Sequence, residues 1–108
     1  MIQQTLPAPI KALIDATNTA DSDAFIAAFA TDAYIRDGGR EFTGRDGAAS
    51  WNRTDNIGVG MRFELIAYEP TGQDSYAVHL KATSNRFSGT GTLRITLRNG
   101  SIARLEIG

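Results

Sequence analysis

The chain has 108 residues with a formal net charge of −1, one histidine and no cysteine. Lack of cysteine excludes disulfides, thiol nucleophiles and cysteine-ligated metals, and a lone histidine cannot build a multi-histidine centre. The basic residues are scattered, which leaves no electrostatic footprint for nucleic acid or anionic lipid; no nucleic-acid partner, membrane partner, metal or cofactor is expected.

A chain of 11.6 kDa falls within the size of one domain and should bury roughly two-thirds of its extended surface. Residues 1–108 are therefore read as a single domain. The opening Met-Ile-Gln-Gln-Thr-Leu-Pro has no basic n-region and no apolar run, and no apolar stretch approaches the length of a membrane span. The expectation is a soluble, cytoplasmic protein.

Over residues 8–20, Ile10, Leu13, Ile14 and Thr17 recur at helical spacing, and Pro7 and Pro9 suit a helix start. Asp21 or Ser22 can cap a second helix, over about 23–30, with Phe25, Ile26 and Phe29 on its apolar side. A short strand ending Ile35-Arg36-Asp37 then meets Gly38-Gly39 and a second short strand, Arg40-Glu41-Phe42. Two glycines between polar flanks signal a tight hairpin, because the favoured turns need positive φ. A two-residue loop sets Asp37 opposite Arg40, Arg36 opposite Glu41 and Ile35 opposite Phe42. By alternation, Ile35, Asp37, Arg40 and Phe42 then share the core-facing side.

Thr43-Gly-Arg-Asp46 resembles a capping box and opens a helix over about 45–53, whose one large apolar residue is Trp51. Residues 56–60 read as a loop to which Gly58 and Gly60 lend mobility. The second half alternates as strand. Met61, Phe63, Leu65 and Ala67 oppose Arg62, Glu64, Ile66 and Tyr68. Tyr76, Val78, Leu80 and Ala82 oppose Ala77, His79, Lys81 and Thr83. Leu93, Ile95 and Leu97 oppose Thr92, Arg94, Thr96 and Arg98. Residues 70–74 form a turn, and Asn99-Gly100 is a strong hairpin signal. In that last hairpin an unbroken register would set Arg104 and Glu106 against Ile95 and Leu93. One extra residue near Ala103 restores Leu105 and Ile107 to the apolar side, so a β-bulge is predicted there.

Helices followed by an antiparallel sheet with one apolar face make an α+β domain, a curved antiparallel sheet wrapped round N-terminal helices to form a cone. The order of elements resembles the SnoaL-like branch of the nuclear-transport-factor-2-like superfamily. The residues that carry the likeness are Asn18-Thr-Ala-Asp-Ser-Asp23, Phe29-Ala-Thr-Asp-Ala-Tyr-Ile-Arg-Asp37 and Phe42-Thr-Gly-Arg-Asp-Gly-Ala-Ala-Ser-Trp51. The resemblance implies a cone with a mouth, in a group that includes ketosteroid isomerases, polyketide cyclases, dehydratases and epoxide hydrolases. It also implies that Asp37 stands where isomerase-like members hold their general base. The isomerases' carbonyl-polarising tyrosine corresponds to Leu13 here and their protonated carboxylic acid to Leu93, so steroid isomerisation is not expected. The carboxylate–guanidinium network of epoxide-hydrolase-like members would need a second aspartate on a late strand, and none is there.

The candidate catalytic pair is thus Asp37, as base, with Arg40; Leu13, Trp51, Phe63, Tyr76 and Leu93 are the candidate ligand-lining residues. Asp37 with Arg40 is equally readable as a salt bridge that sets the turn register. His79 is read as an exposed residue of the outer sheet face or a dimer contact. Two functions stay open: a cofactor-independent isomerase- or cyclase-type enzyme acting on an apolar or polyketide-like molecule, and a non-catalytic ligand-binding or dimeric module. The apolar Ile66 and Tyr68 among the charged residues of the outer face suggest a homodimer through that face.

Overall fold

The computed structural model describes residues 6–107; residues 1–5, read above for a signal peptide, lie outside the described residues. Helix α1 (Ala8–Asn18) buries Ile10, Leu13, Ile14, Ala16 and Thr17, the face set by its apolar spacing. Helix α2 (Ser22–Ala27) is capped by Asp21, whose side chain accepts from the Ala24 N–H at 3.1 Å. It is shorter than its sequence pattern. Phe29 already opens strand β1 (Phe29–Asp37), fully buried with its ring 5.1 Å from that of Phe25.

Strand β2 (Arg40–Thr43) returns along β1 with the expected partners: Asp37 to Arg40, Arg36 to Glu41 and Ile35 to Phe42. Only the first turn glycine, Gly38, has positive φ, at 63°. Helix α3 (Gly44–Asp55) follows. Its cap differs from the predicted box, because Thr43 occupies the N-cap position without a side-chain hydrogen bond to the first turn.

The second half supplies strands β3 (Arg62–Gly72), β4 (Ser75–Thr83), β5 (Ser88–Arg98) and β6 (Ser101–Ile107). They join β1 and β2 in one curved, unclosed six-stranded sheet of order β2-β1-β6-β5-β4-β3. Its neighbours are antiparallel except β1 and β6, which run parallel. That pairing joins the two halves of the chain and brings the ends of β1 and β6 together, Asp37 beside Ile107.

Local parity decides which side chains reach the core. In the β5–β6 hairpin Asn99 and Gly100 both take positive φ (53° and 78°), and the register steps from Leu97–Ile102 to Thr96–Arg104. Ala103 is the extra residue, and Leu105 is fully buried as predicted. A second bulge was not legible in the alternation. The β3–β4 register steps from Leu65–Leu80 to Ala67–His79, so Ile66 is the unpaired residue and Tyr68 is carried to the face of Val78. Tyr68 therefore packs against the core, with its ring 6.4 Å from that of Tyr76, and leaves Ile66 alone, 58% exposed, on the other side. The 70–74 turn also tightens. Pro70 pairs with Tyr76 inside β3, which is possible because β3 is an edge strand.

The segment after α3 is not the loose loop that its glycines suggest. Asn56 is fully buried, and its Nδ2 donates to Thr17 Oγ1 at 3.0 Å and to Asn52 Oδ1 at 3.1 Å. Asn52 Nδ2 in turn donates to Ser22 Oγ at 3.0 Å. This chain of amides ties the end of α3 to α1 and α2. The turn Ile57–Val59 then folds back so closely that a Cβ on Gly58 would lie 1.6 Å from the Arg53 carbonyl oxygen. Gly60 closes it with φ of 71°. Among the described residues no helix is long and apolar enough to cross a membrane.

Two substitutions test this anchoring. Asn56→Ala leaves Thr17 and Asn52 with unmet hydrogen-bonding capacity and is expected to lower the unfolding free energy by about 1–3 kcal/mol, read as a lower urea midpoint with an unchanged slope. Gly58→Ala forces the turn off α3 and is expected to cost about 1–3 kcal/mol or more; a midpoint within error of wild type would show that the close approach is not required.

Candidate functional site

The open end of the curved sheet and the C-terminal half of α3 enclose a cavity of about 960 Å³. Phe63, Leu80, Ala82 and Leu93 line it from the sheet, Trp51 from α3, and Val59 and Met61 from the segment that follows. Asp37 and Asp55 stand in the same wall. The sequence-predicted residues thus divide. Asp37, Trp51, Phe63 and Leu93 line the cavity. Leu13 is buried in the core and Tyr76 packs beside Tyr68; neither is among the wall residues, and Arg40 is not either. Leu13 lies on the buried face of α1, and Tyr76 sits at the end of β4 away from the wall residues Leu80 and Ala82, where alternation alone cannot separate core from cavity.

Asp37 is fixed by two donors that converge on one oxygen. Trp51 Nε1 donates to Asp37 Oδ2 at 2.9 Å, and Arg40 Nη2 donates to the same atom at 2.8 Å. The other oxygen, Oδ1, makes no hydrogen bond among the described residues. The carboxylate is only 24% exposed. The hairpin register puts Arg40 next to Asp37, and the position of Trp51 on α3 brings the indole to the end of β1. Trp51 also stacks on Phe25 with ring centres 6.0 Å apart, so its orientation is held by the core.

Arg40 spans two acids. Its Nη1 and Nη2 donate to Asp55 Oδ2 and Oδ1 at 3.1 and 2.8 Å, a bidentate pair, while Nη2 also reaches Asp37. Thr54 Oγ1 donates to Asp55 Oδ2 at 2.6 Å. The hydrogen bonds from Arg40, assisted by that from Thr54, hold the Asp55 carboxyl below the usual carboxylate range against the opposing effect of burial. The same pairing raises the Arg40 pKa above its ordinary value. Asp55 is the residue that sequence reasoning missed. The second carboxylate absent from the late strands comes from the last turn of α3, beyond the predicted helix end. An Asp at the end of a longer helix was its only sequence signal.

Other polar expectations resolve nearby. Glu41 faces Arg36 in register but takes its hydrogen bond from the Tyr34 hydroxyl, at 2.7 Å. His79 is hydrogen-bonded through Nδ1 to Thr92 Oγ1 at 2.9 Å, with Glu69 at 3.6 Å from Nε2, and is not a wall residue. Among the described residues no three or more His, Cys, Asp or Glu side chains gather as metal ligands.

The family model described as the SnoaL-like domain matches residues 10–105. The chain belongs to the SnoaL-like domain family. A protein from Sinorhizobium meliloti proposed to be a polyketide cyclase shares 30% identity with this SnoaL-like chain; the match covers 95% of each, with a TM-score of 0.86. A protein from Kribbella flavida proposed to be a ketosteroid isomerase is 18% identical over 94% of this chain and 74% of its own, with a TM-score of 0.79. A Mycobacterium tuberculosis protein solved with estradiol-17β-hemisuccinate is 15% identical over 93% of this chain and 89% of its own, with a TM-score of 0.82. At those last two identities the likeness is one of fold. No curated protein matches the chain by sequence.

The Arg40–Asp55 pair has a definite pH signature. A carboxyl whose pKa is depressed in the folded state adds stability above its unfolded pKa, near 4, and loses that contribution as pH falls through the folded value. Arg40→Met should therefore be destabilised relative to wild type at pH 7, with the gap narrowing towards pH 3. Urea unfolding at the two pH values measures it; a gap independent of pH would mean that the guanidinium acts only by packing.

Proposed function

We propose that this SnoaL-like protein holds a small, largely apolar, polyketide-like molecule in its cavity and that Asp37 takes a proton from a carbon flanked by carbonyl groups. The observation that carries this reading is the unshared oxygen of Asp37. Arg40 and Trp51 occupy Oδ2 and fix the plane of the carboxylate, so that Oδ1, which takes no hydrogen bond among the described residues, stands as an acceptor in the wall of a largely apolar cavity. A volume of about 960 Å³ suits a multi-ring or extended ligand.

The substrate class follows from two leucines at the positions where the isomerases hold their hydrogen-bond donors. An enolate generated from an isolated ketone needs strong donors at its oxygen. Leu13 and Leu93 stand where the isomerases carry theirs, and neither can donate. A carbon between two carbonyls is intrinsically more acidic and spreads the resulting charge over both oxygens, so it asks less of the protein. A positioned carboxylate therefore supports cyclase-type chemistry on a 1,3-dicarbonyl better than isomerisation of a simple steroid ketone. A cavity that binds without turnover is the competing reading.

Asp37→Asn separates them, because the amide keeps the shape of the carboxylate and cannot accept the proton. If Asp37 is the base, exchange of the acidic C–H of a bound 1,3-dicarbonyl with deuterated solvent, followed by NMR, should fall by at least about a hundredfold while binding persists. Exchange at the wild-type rate would leave a binding module.

We also propose that the outer face of the sheet pairs two copies of the chain. Support comes from Ile66, a large apolar side chain displayed by a bulge on a face that carries small, polar and charged groups. Sedimentation should give twice the 11.6 kDa chain mass, and Ile66→Glu should return it to the monomer; a wild-type monomer at tens of micromolar would contradict the pairing.

A further inference from the structure

The charges of the cavity wall are unequally committed. The carboxylates that border the cavity are engaged: Asp37 and Asp55 by Arg40, and Glu106, on the outer face of β6, by Arg104, whose Nε and Nη2 lie 2.8 and 2.7 Å from Glu106 Oε2. Arg40 and Arg104 are not themselves wall residues. Of the arginines that border the cavity, Arg36 and Arg94 flank Glu106 in register on the outer sheet face, whereas Arg86 comes from the β4–β5 turn and forms no ion pair among the described residues. At the mouth this leaves one guanidinium, that of Arg86, outside any ion pair among the described residues.

One of these arginines sits on a built platform. The β4–β5 connection is closed by the Ser84 N–H donating to the Phe87 carbonyl at 2.7 Å. Ser84 Oγ accepts from the Arg86 and Phe87 N–H groups at 3.2 and 3.1 Å. The Asn85 N–H donates to the Val59 carbonyl at 2.9 Å, which pins the turn to the segment after α3. This ordered turn presents two exposed side chains to the cavity, Arg86 and Phe87, the latter 52% exposed. A large aromatic held half in water by a rigid turn, next to a cation with no ion-pair partner, is suited to an apolar body ending in an acid.

We infer that the cavity selects ligands bearing a carboxylate, with Arg86 receiving the acid at the mouth and Phe87 covering the adjacent apolar part. The inference rests on the ligand-binding reading of the same cavity and adds the charge of the ligand to it. It does not involve Asp37, whose unshared oxygen faces the reacting part of the molecule.

A matched pair of probes tests it. 4-(1-Pyrenyl)butyrate and 4-(1-pyrenyl)butanol share a body and differ in charge, and both can quench Trp51, the single tryptophan of the chain and a wall residue. The carboxylate should bind about tenfold more tightly or better at low salt, and added sodium chloride should shrink the advantage. Arg86→Gln should bring the two Kd values together, and Phe87→Ala should weaken both probes alike. Equal affinities, or a preference for the alcohol, would overturn the inference while leaving the cavity a binding site. A carboxylate preference that survives Arg86→Gln would overturn the assignment to Arg86. If neither probe binds, this inference and the ligand-binding reading fall together.

Discussion

Side-chain alternation in a sheet admits no half steps: a single extra residue turns every later side chain to the other face. The cavity of this protein depends on where such steps occur. The two-residue Gly-Gly turn adds none, so Asp37 keeps the parity of buried Ile35 and reaches the wall. The bulge at Ala103 adds one, which returns Leu105 to the core and brings Ile107 beside Asp37. The bulge at Ile66 adds another, which draws Tyr68 inward and leaves Ile66 displayed. Without these steps the same residues would give a sheet whose apolar and charged faces were mixed.

Helix α3 completes the site because its far end is anchored by polar rather than apolar contacts. The amides of Asn52 and Asn56 connect it to Ser22 and Thr17, and the Gly58 turn lies directly against it. These buried hydrogen bonds position the helix end, with Asn56 Oδ1 the one side-chain polar atom left buried without a partner among the described residues. That position presents Trp51 to Asp37 and Asp55 to Arg40. The catalytic proposal and the stability of the α3 end therefore share residues: loosening the anchor would release the donor that orients the carboxylate.

Much of this was legible in the sequence, and for identifiable reasons. The hairpin partners followed from two adjacent glycines, and the Ala103 bulge from a conflict between turn length and hydrophobic pattern. The bulge at Ile66 escaped because Leu65, Ile66, Ala67 and Tyr68 are all apolar or aromatic, so either register gives an acceptable pattern. Asp55 escaped because α3 runs two residues past its expected end, and long-range pairing with Arg40 has no local signal. Leu13 was assigned to the cavity through the family resemblance and Tyr76 through alternation, and neither signal separates filled core from open space. The parallel contact between β1 and β6 is a matter of topology that no window of sequence contains.

The central claim is that the space beside Asp37 and Trp51 is an occupied ligand site rather than a packing defect. The single indole N–H resonance of Trp51 reports on it directly, since that group donates to Asp37 and borders the cavity. Uniformly 15N-labelled protein mixed with extracts of small polyketide-like carbonyl compounds should show this resonance shifting saturably, together with amides of β5 and the end of α3, and native mass spectrometry of the same sample should give a discrete one-to-one adduct. An indole signal that stays in place throughout, with only the bare protein mass observed, would contradict the account.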